Sequence, residues 1–394
     1  MADHSEPILP GSYLGILGGG QLGRMFTQAA QSMGYKVCVL DPDVESPAGS
    51  IAEKFIKADY TDSAALKEMA SLCTSVSTEF ENVPAQALDE LESLGVFVAP
   101  RSSCVSLAQN RIAEKNFLAT WKSETNIGPA PNFVIEHDAD VAHVPADLFP
   151  GILKTARMGY DGKGQVRVKD APALRAAWQD LKQVPCVLEK MLPLSLECSV
   201  IVARSLDGQM VNFPVQRNLH REGILAVTEV YEGHLPQALQ QQAVAAARSI
   251  AEGVNYVGVL CVEFFVLQDG SMVVNEMAPR PHNSGHYTLD ACDQSQFDLQ
   301  VRTLAGLPLT QPRQHSAAIM LNLLGDVWFD SKGAMRLPDW AAVLALPGTH
   351  LHLYGKTEAR KARKMGHLNV TGATVEEVRK VALKAAAILG MEAF

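Results

Sequence analysis

Strand-like and helix-like segments alternate over residues 13–100, and this alternation most constrains what the chain can fold into. The pattern predicts strands at 13–17, 36–40, 75–79 and 96–99, and helices at 22–33 and 63–72. Repeated strand–helix–strand units indicate parallel strands joined by helical crossovers. We therefore expect a doubly wound parallel sheet that forms an N-terminal α/β domain of residues 1–109.

The rest of the chain mixes helices with antiparallel strand pairs, which is typical of an α+β fold. The pattern predicts helices at 110–120 and 236–252 and strands at 151–154, 165–169, 186–190, 197–203 and 210–215. An Ala- and Lys-rich helix is expected at 374–389. We expect a central domain of residues 110–302 and a small C-terminal domain of residues 303–394.

Composition excludes several classes of protein. The 394 residues carry a net charge of −9 without a basic tract, which argues against a nucleic-acid partner. The seven cysteines are odd in number and lack a CxxC spacing, so we expect neither a disulfide framework nor a structural zinc site. The absence of a signal-peptide pattern and of an apolar run near ~20 residues predicts a cytoplasmic protein without a membrane partner.

The segment from Val262 to Glu276 has the pattern of a β-hairpin. Two β-rich runs flank Asp269-Gly270, a preferred two-residue loop. Such a loop pairs Gln268 with Ser271, which places Glu263 directly opposite Glu276. Two opposed carboxylates among Val and Phe require a cation, and Mg²⁺ with a phosphate-bearing substrate would meet that requirement. A solvated hairpin face or a slipped register is the alternative.

Two glycine-rich segments compete as nucleotide sites. The first, Gly18-x-Gly20-x-x-Gly23, follows a strand and opens a helix, with Asp41 at the end of the next strand. This pattern is compatible with a dinucleotide fingerprint. Gln21 and Arg24 would suit any small anion at a helix N-terminus. The first alternative function is therefore an NAD-linked oxidoreductase that uses this loop.

The second glycine-rich segment, residues 159–165, joins two predicted strands. Three glycines within six residues can fold backbone N–H groups over phosphates, and Lys154 at the end of the preceding strand could reach a phosphate. The spacing is not that of a Walker A motif. A flexible hairpin turn with a solvated lysine is the alternative.

A connector at residues 189–197 links the predicted phosphate loop to the later hairpin. Its backbone could bond the edge of an adenine, with Met191 and Leu192 on either side of the base, and Glu197 could accept ribose hydroxyls. An ordinary strand end is the alternative.

The order of these features resembles the ATP-grasp superfamily, in which two α+β lobes hold ATP. Three stretches sharpen the resemblance to the N5-carboxyaminoimidazole ribonucleotide synthetase family: residues 18–24 (GGGQLGR), 159–165 (GYDGKGQ) and 275–288 (NEMAPRPHNSGHYT). The hairpin departs from many ATP-grasp relatives at Ala278, where those have Asn. This difference favours the same subfamily over the biotin-dependent carboxylases.

The resemblance implies an ATP-dependent carbon–nitrogen ligase of purine biosynthesis. ATP, bicarbonate and 5-aminoimidazole ribonucleotide would give the N5-carboxylated ribonucleotide, ADP and phosphate by way of carboxyphosphate. The implied cofactors are ATP and Mg²⁺, with Mn²⁺ as a substitute, and the implied assembly is a homodimer. A nucleotide-binding regulator without chemistry is a further alternative, although the glutamates, the loop and the lysine argue against it.

The resemblance also assigns the nucleotide site residue by residue. Glu263 and Glu276 would hold the metal, Arg111 and Lys154 the phosphates, and residues 159–165 would close over them as a flap. The implied nucleotide-binding residues are Arg111, Lys154, Gly159, Tyr160, Asp161, Gly162, Lys163, Gly164, Gln165, Glu189, Lys190, Met191, Leu192, Glu197, His220, Asn275 and Glu276. Regular pairing turns Asn275 to the other face of its strand, so it reaches the site only if the strand twists or ends there.

The ribonucleotide requires a separate set of residues. Arg280, His282 and Asn283 follow the hairpin and would face the reacting end, with Arg280 as a catalytic group. Lys356 and Arg363, in a stretch with five Lys or Arg in nine residues, would bind the 5′-phosphate. Tyr160, Asp161 and Lys163 of the flap would position bicarbonate. Gln21 and Glu79 lie at strand ends of the first sheet, where ligands bind in open α/β folds.

Overall fold

The structure is a computed structural model. It describes residues 6–121, 125, 127–157, 159 and 164–394. None of the helices in these ranges combines the length and the apolar character needed to cross a bilayer.

The N-terminal region is a parallel sheet, as the alternating pattern predicts, and it has five strands in the order β3-β2-β1-β4-β5 where four were predicted. Its strands are β1 (Tyr13–Leu17), β2 (Lys36–Asp41), β3 (Lys54–Lys57), β4 (Cys73–Thr78) and β5 (Phe97–Val98), and its helices are α1 (Gln21–Ser32), α2 (Ser63–Leu72), α3 (Ala85–Ser93) and α4 (Ser102–Ala108). Val37 and Val39 pack with α1, whereas Leu40 packs with α2 and α3. The sheet is therefore covered on both faces, as a doubly wound fold requires.

A four-stranded antiparallel sheet follows, in the order β6-β9-β7-β8. Its strands are β6 (Asn132–Ile135), β7 (Gly151–Thr155), β8 (Gln165–Val168) and β9 (Cys186–Lys190), and the adjoining helices are α5 (Arg111–Thr120), α6 (Asp138–Val141) and α7 (Ala171–Asp180). Trp178 and Leu174 of α7 are buried against Leu153 and Leu188 of this sheet.

The third sheet has nine strands and is antiparallel at each named pairing. Its strands are β10 (Leu194–Arg204), β11 (Met210–Asn212), β12 (Gln216–Arg221), β13 (Ile224–Val230), β14 (Gly258–Leu267), β15 (Met272–Ala278), β16 (Ala317–Leu324), β17 (Thr349–Leu353) and β18 (Lys364–Gly372). The remaining helices are α8 (Gln237–Gly253), α9 (Thr288–Ala291), α10 (Gln296–Ala305), α11 (Trp340–Leu344) and α12 (Val375–Leu389).

The strands of residues 303–394 extend this third sheet and do not build a sheet of their own. Strand β13 pairs with β16, with Val227 opposite Leu321 and Val230 opposite Ala318. Leu389 and other residues of α12 pack in one core with Ala226 and Val227. The predicted central and C-terminal domains therefore share both a sheet and a hydrophobic core.

Candidate active site

A cleft of about 850 Å³ opens between the four-stranded and nine-stranded sheets and brings most of the predicted site residues together. Even-numbered residues of β10 and β14, such as Val200 and Val262, pack in the core beneath α8. Because side chains alternate along a strand, Glu197 and Glu263 face the cleft. The predicted residues that line it are Arg111, Lys154, Gly159, Gly164, Gln165, Glu189, Lys190, Met191, Leu192, Glu197, His220, Glu263, Asn275, Glu276, Arg280, His282 and Asn283.

Eight predicted residues are not among those that line the cleft. Gln21, Glu79, Lys356 and Arg363 lie outside its described lining. Tyr160, Asp161, Gly162 and Lys163 lie outside the described residues.

The hairpin that carries the glutamates has the predicted pairing but a different turn. Glu263 lies opposite Glu276, which confirms the predicted register at that point. The predicted two-residue loop is wrong, because the Leu267 N–H donates to the Ser271 carbonyl at 2.8 Å and three residues lie between them. Gly270 ends this loop with φ of 83°, a left-handed conformation that favours glycine. The longer loop alone would shift Glu276 out of register with Glu263.

A β-bulge at Asn275 restores the pairing. Phe264 pairs with Val274 and Glu263 with Glu276, so Asn275 is the extra residue on its strand. Asn275 and Glu276 both line the cleft as a result. The Asn275 Oδ1 atom is buried and has no hydrogen-bond partner among the described residues. The bulge therefore brings Asn275 to the cleft, which regular strand pairing would not do.

Each of the two opposed glutamates lies beside a nitrogen-bearing side chain. Glu263 Oε1 lies 3.0 Å from His282 Nε2, and Glu276 Oε2 lies 3.5 Å from Arg111 Nη1. Burial alone would raise the pKa of Glu263, but His282 and His220 hold it at about 2. Cys261 Sγ and the ligand atoms of Glu263 and His282 all lie within 4.8 Å of one another, close enough for a shared metal ion.

Three residues of the hairpin suit a hard divalent cation. Glu263, Glu276 and Asn275 offer carboxylate and amide oxygens, which are the ligands Mg²⁺ accepts. The unpartnered Asn275 Oδ1 is an acceptor that the described protein does not satisfy. We expect a buried acceptor of this kind to bind a cation or a hydrogen-bond donor, since leaving it unpaired costs free energy.

Glu189 lies at the centre of a cluster of three cations. Its carboxylate is 2.7 Å from Lys154 Nζ, 3.3 Å from Lys115 Nζ and 3.9 Å from Arg111 Nη1. Burial opposes ionisation, but these cations hold the pKa of Glu189 at about 2. Burial lowers the pKa of Lys154 against the opposing effect of Glu189. The Nε and Nη1 atoms of Arg111 are buried without a hydrogen bond to a described residue, although Nη1 lies within ion-pair distance of Glu189 and Glu276. Both nitrogens could therefore donate to an anion.

The connector and its neighbours form the other end of the cleft. Met191 N–H donates to the Pro150 carbonyl at 2.9 Å, which fixes the backbone just after β9. Glu197 Oε2 lies 2.6 Å from His220 Nδ1. Burial opposes the charged imidazole, but Glu197 and Glu263 raise the pKa of His220.

Arg280 is held by a carboxylate that the sequence did not indicate. Its Nε donates to Glu81 Oε2 at 2.5 Å, and Glu81 also lines the cleft. Burial opposes ionisation of Glu81, but Arg280 holds its pKa at about 2. The neighbouring Asn283 has both side-chain amide atoms buried without a partner among the described residues.

Three family models match successive parts of the chain. They are the ribonucleotide synthetase preATP-grasp domain at residues 12–109, the ATP-grasp domain at 123–297 and the phosphoribosylaminoimidazole carboxylase C-terminal domain at 318–381. An N5-carboxyaminoimidazole ribonucleotide synthase of Brucella melitensis is 42% identical over 368 residues, which cover 92% of this chain and 96% of that relative. The chain belongs to the N5-carboxyaminoimidazole ribonucleotide synthase family.

Solved structures of family members have the same fold over nearly the full length. The Staphylococcus aureus N5-carboxyaminoimidazole synthetase complexed with ADP is 34% identical, with a TM-score of 0.86 and coverage of 98% of each chain. The Aspergillus clavatus enzyme in complex with ADP and 5-aminoimidazole ribonucleotide is 29% identical, with a TM-score of 0.85 and coverage of 96% of this chain and 98% of that one.

Within this member of the N5-carboxyaminoimidazole ribonucleotide synthase family, the first glycine loop is occupied by the protein's own carboxylates. Glu79 accepts from the N–H groups of Gly20 at 2.5 Å and Leu22 at 3.0 Å, and Asp41 accepts from Gly19 at 2.7 Å. A Cβ on Gly20 would lie 2.4 Å from Glu79. The NAD alternative therefore has no support, because a pyrophosphate would meet these carboxylates where it needs free N–H donors.

The basic loop of the C-terminal region, residues 356–364, packs beside that glycine loop. Thr357 Oγ1 donates to Glu45 Oε2 at 2.8 Å, and a Cβ on Gly355 would lie 3.7 Å from Arg24. Lys356 Nζ donates to the Lys364 carbonyl at 2.8 Å. The structure thus places the basic loop that carries Lys356 and Arg363 beside the glycine loop that carries Gln21.

Several charged residues at the site were not predicted from the sequence, and three of them contact or adjoin predicted residues. Lys115 is buried against Glu189, Glu81 holds Arg280, and Lys364 lines the cleft beside the predicted Arg363. Lys115 belongs to a polar helical pattern and Glu81 to a loop, so each would be taken for a solvated charge. Lys364 could have been included, since it ends the basic stretch that the sequence singled out.

Proposed function

We propose that this chain carboxylates 5-aminoimidazole ribonucleotide with ATP and bicarbonate, giving N5-carboxyaminoimidazole ribonucleotide, ADP and phosphate. One observation carries the proposal. Oxygen ligands on Glu263, Asn275 and Glu276 share one cleft with Arg111, whose buried Nε and Nη1 atoms make no hydrogen bond to a described residue. That arrangement suits a metal-bound polyphosphate, and the family relationship supplies the acceptor.

Glu263 and Glu276 would hold Mg²⁺, or Mn²⁺ in its place, with Asn275 as a third oxygen ligand. When bound there, the ion would neutralise charge on the phosphates. Arg111 would then be released from Glu276 to bind phosphate oxygens, and His282 would be released from Glu263. The separation of these contacts would make both side chains available to anionic substrates.

The nucleotide would lie across the four-stranded sheet. Lys154 and Arg111 would bind its phosphates, and residues 159–165 would cover them and exclude water from carboxyphosphate. The connector Lys190, Met191 and Leu192 would hold the adenine. Glu197, oriented by His220, would accept the ribose hydroxyls. Glu189 begins this connector and would bind the nucleotide with it, while its carboxylate positions Lys154.

The ribonucleotide would bind where the three regions meet. Arg280, His282 and Asn283 would face its amine and the carboxyl donor, while Tyr160, Asp161 and Lys163 of the flap would position bicarbonate. Lys356 and Arg363 would bind the 5′-phosphate, and Lys364 joins this set because it lines the cleft. Gln21 would contact the ribonucleotide from the N-terminal sheet. Glu79 would support that contact by holding the turn.

Several wider assignments also belong to the proposal. The domains would span residues 1–109, 110–302 and 303–394, and the enzyme would act in the cytoplasm as a homodimer. Light scattering on a size-exclusion column tests the assembly, since a mass near twice the 42.6 kDa of one chain is expected.

The deciding experiment measures phosphate release from ATP. We expect release to require Mg²⁺ and bicarbonate and to rise with 5-aminoimidazole ribonucleotide, with one N5-carboxylated product formed per phosphate. Release that is indifferent to both bicarbonate and the ribonucleotide would exclude the carboxylation. Reduction of NAD with a hydroxy substrate, without ATP turnover, would instead restore the oxidoreductase alternative.

A further inference from the structure

Lys115 is a fully buried lysine that the proposed chemistry does not use. It follows Arg111 by one turn of α5, and its side chain is 0% exposed. Lysine is almost never fully buried unless it is paired, so its contacts require an explanation. Its Nζ donates to the Asn275 carbonyl at 2.6 Å and lies 3.3 Å from Glu189 Oε1.

Both contacts lead to elements of the proposed site. The Asn275 carbonyl belongs to the bulge that turns Asn275 and Glu276 into the cleft. On the other side of Glu276, the Met277 N–H donates to Glu114 Oε1 at 2.7 Å. Successive residues of α5 therefore hold β15 on both sides of the proposed metal ligand.

The second contact concerns the charge of Glu189. That carboxylate is 3% exposed and has Lys154, Lys115 and Arg111 as its cations. If Lys154 and Arg111 turn towards phosphates, a buried carboxylate loses two of its three partners. Removing every partner of a buried charge is strongly unfavourable, so Glu189 would otherwise retain these two cations. Lys115 faces the bulge carbonyl and can remain in place.

We propose that Lys115 is a positioning residue and the permanent counter-ion of Glu189. By neutralising Glu189, it allows Lys154 and Arg111 to transfer to the phosphates, and its bond to the bulge carbonyl fixes the strand that carries Glu276. This inference rests on the proposed function, because it assumes that Lys154 and Arg111 bind phosphates.

A double-mutant cycle on Lys115 and Glu189 tests the inference. Calorimetry would measure ADP affinity for the wild type, Lys115→Met, Glu189→Gln and the double variant, first in EDTA and then with Mg²⁺. In EDTA, we expect Lys115→Met to bind ADP about tenfold more weakly, since Glu189 then holds Lys154 and Arg111 more tightly. The double variant should return to within about threefold of Glu189→Gln, because the charge that retains them is gone.

Additive losses in the cycle would overturn the inference, since a merely structural lysine shows no such rescue. If Lys115→Met does not fold, Glu189→Gln and the double variant decide alone. Equal ADP affinities support the counter-ion role, and a tenfold weaker double variant contradicts it.

Arg204→Met provides a matched control. Arg204, the last residue of β10, donates from Nη1 to the Tyr256 carbonyl at 2.8 Å, and neither residue is in the cleft lining. We expect a lower melting temperature with ADP affinity within about twofold of the wild type. A loss of ADP affinity equal to that of Lys115→Met would show that general destabilisation weakens binding. That result would overturn the inference.

Failure of the proposed function would give a different result. If the wild type does not bind ADP, the nucleotide site itself is wrong. If Glu276→Gln retains the full strengthening of ADP binding by Mg²⁺ while the cycle shows rescue, the metal assignment fails and the role of Lys115 stands.

Discussion

The glycine loop of the first sheet and the cleft between the other two sheets both gather polar groups, but only the loop satisfies them internally. In the loop, the N–H groups of Gly19, Gly20 and Leu22 are bound by Asp41 and Glu79. In the cleft, side-chain atoms of Arg111, Asn275 and Asn283 are buried without partners among the described residues.

The difference shows that buried polar atoms without hydrogen-bond partners identify the ligand site better than a glycine-rich motif does. A buried polar group without a partner costs about 1–3 kcal/mol, so a cluster of such groups persists when a ligand supplies the missing bonds. The glycine loop has the better sequence motif, yet its donors are already used. Four experiments test whether this contrast holds.

The largest expected effect is the loss of catalysis on the cleft side. Glu276→Gln should lower ATP turnover at least about 100-fold, because it removes a charged metal ligand, and this corresponds to about 2.7 kcal/mol of transition-state stabilisation. Turnover is measured as phosphate release at saturating Mg²⁺. The free energy of unfolding should change by less than about 1 kcal/mol, because the carboxylate is 44% exposed and makes one ion pair. A variant with wild-type turnover would contradict the metal assignment.

The second effect concerns stability on the loop side. Glu79→Ala should lower the free energy of unfolding by roughly 2–4 kcal/mol, since two buried N–H groups lose their acceptor. Urea unfolding measures this loss. If the variant keeps its stability but loses affinity for the ribonucleotide, Glu79 contacts substrate directly and the contrast between the two regions fails.

The third effect concerns carboxylates whose pKa values are shifted in opposite directions. Glu114 of the cleft behaves like Glu79 of the loop, because burial raises its pKa to about 7, whereas three other cleft carboxylates have lowered pKa values. The pKa values of Glu81, Glu189 and Glu263 in the cleft are held at about 2, below the ordinary 4.5, so their contribution to stability is present above pH 4.5 and is lost as the pH falls towards 2. Burial raises the pKa of Glu79, so its contribution is present below pH 4.5 and is lost as the pH rises through the raised pKa.

Urea unfolding from pH 3 to pH 7 tests this difference in sign. The wild type should lose stability on acidification below pH 4.5. Glu79→Gln should remove part of the decline on the alkaline side while leaving the acid limb unchanged. An acid limb that moves with Glu79→Gln would place Glu79 among the carboxylates whose pKa is lowered.

The smallest effect concerns the turn of the hairpin. Gly270→Ala should lower the free energy of unfolding by about 1 kcal/mol, because φ is 83° and no atom lies within 4 Å of the added Cβ. ATP turnover should remain at the wild-type rate. A large loss of turnover would indicate that the three-residue loop contributes to the register at Glu276.

Much of this fold could be predicted from local patterns. The parallel order of the first sheet follows from alternation of strands and helices, and the predicted bounds of α2 and β9 match the structure. Strand β3 was missed because its four residues include two lysines, which is typical of a short edge strand and gives a weak β signal. The sequence pattern also did not predict helix α3.

The site shows where local patterns fail. The pairing of Glu263 with Glu276 was predicted from a two-residue loop, but it results from a three-residue loop and a compensating bulge. A bulge depends on contacts from elsewhere in the chain, here the donation from Lys115 to the Asn275 carbonyl. Contacts 160 residues apart in sequence cannot be obtained from periodicity.

The pairing of β13 with β16 predicts the effect of truncating the protein before its C-terminal region. All seven residues of β13 are buried, and one side of its backbone bonds to β16 from the C-terminal region. A protein cut after residue 302 would expose this strand as a long apolar edge, which is a template for intermolecular pairing. We therefore expect the C-terminal region to protect this sheet from aggregation, so expression of the first two regions alone should give insoluble protein.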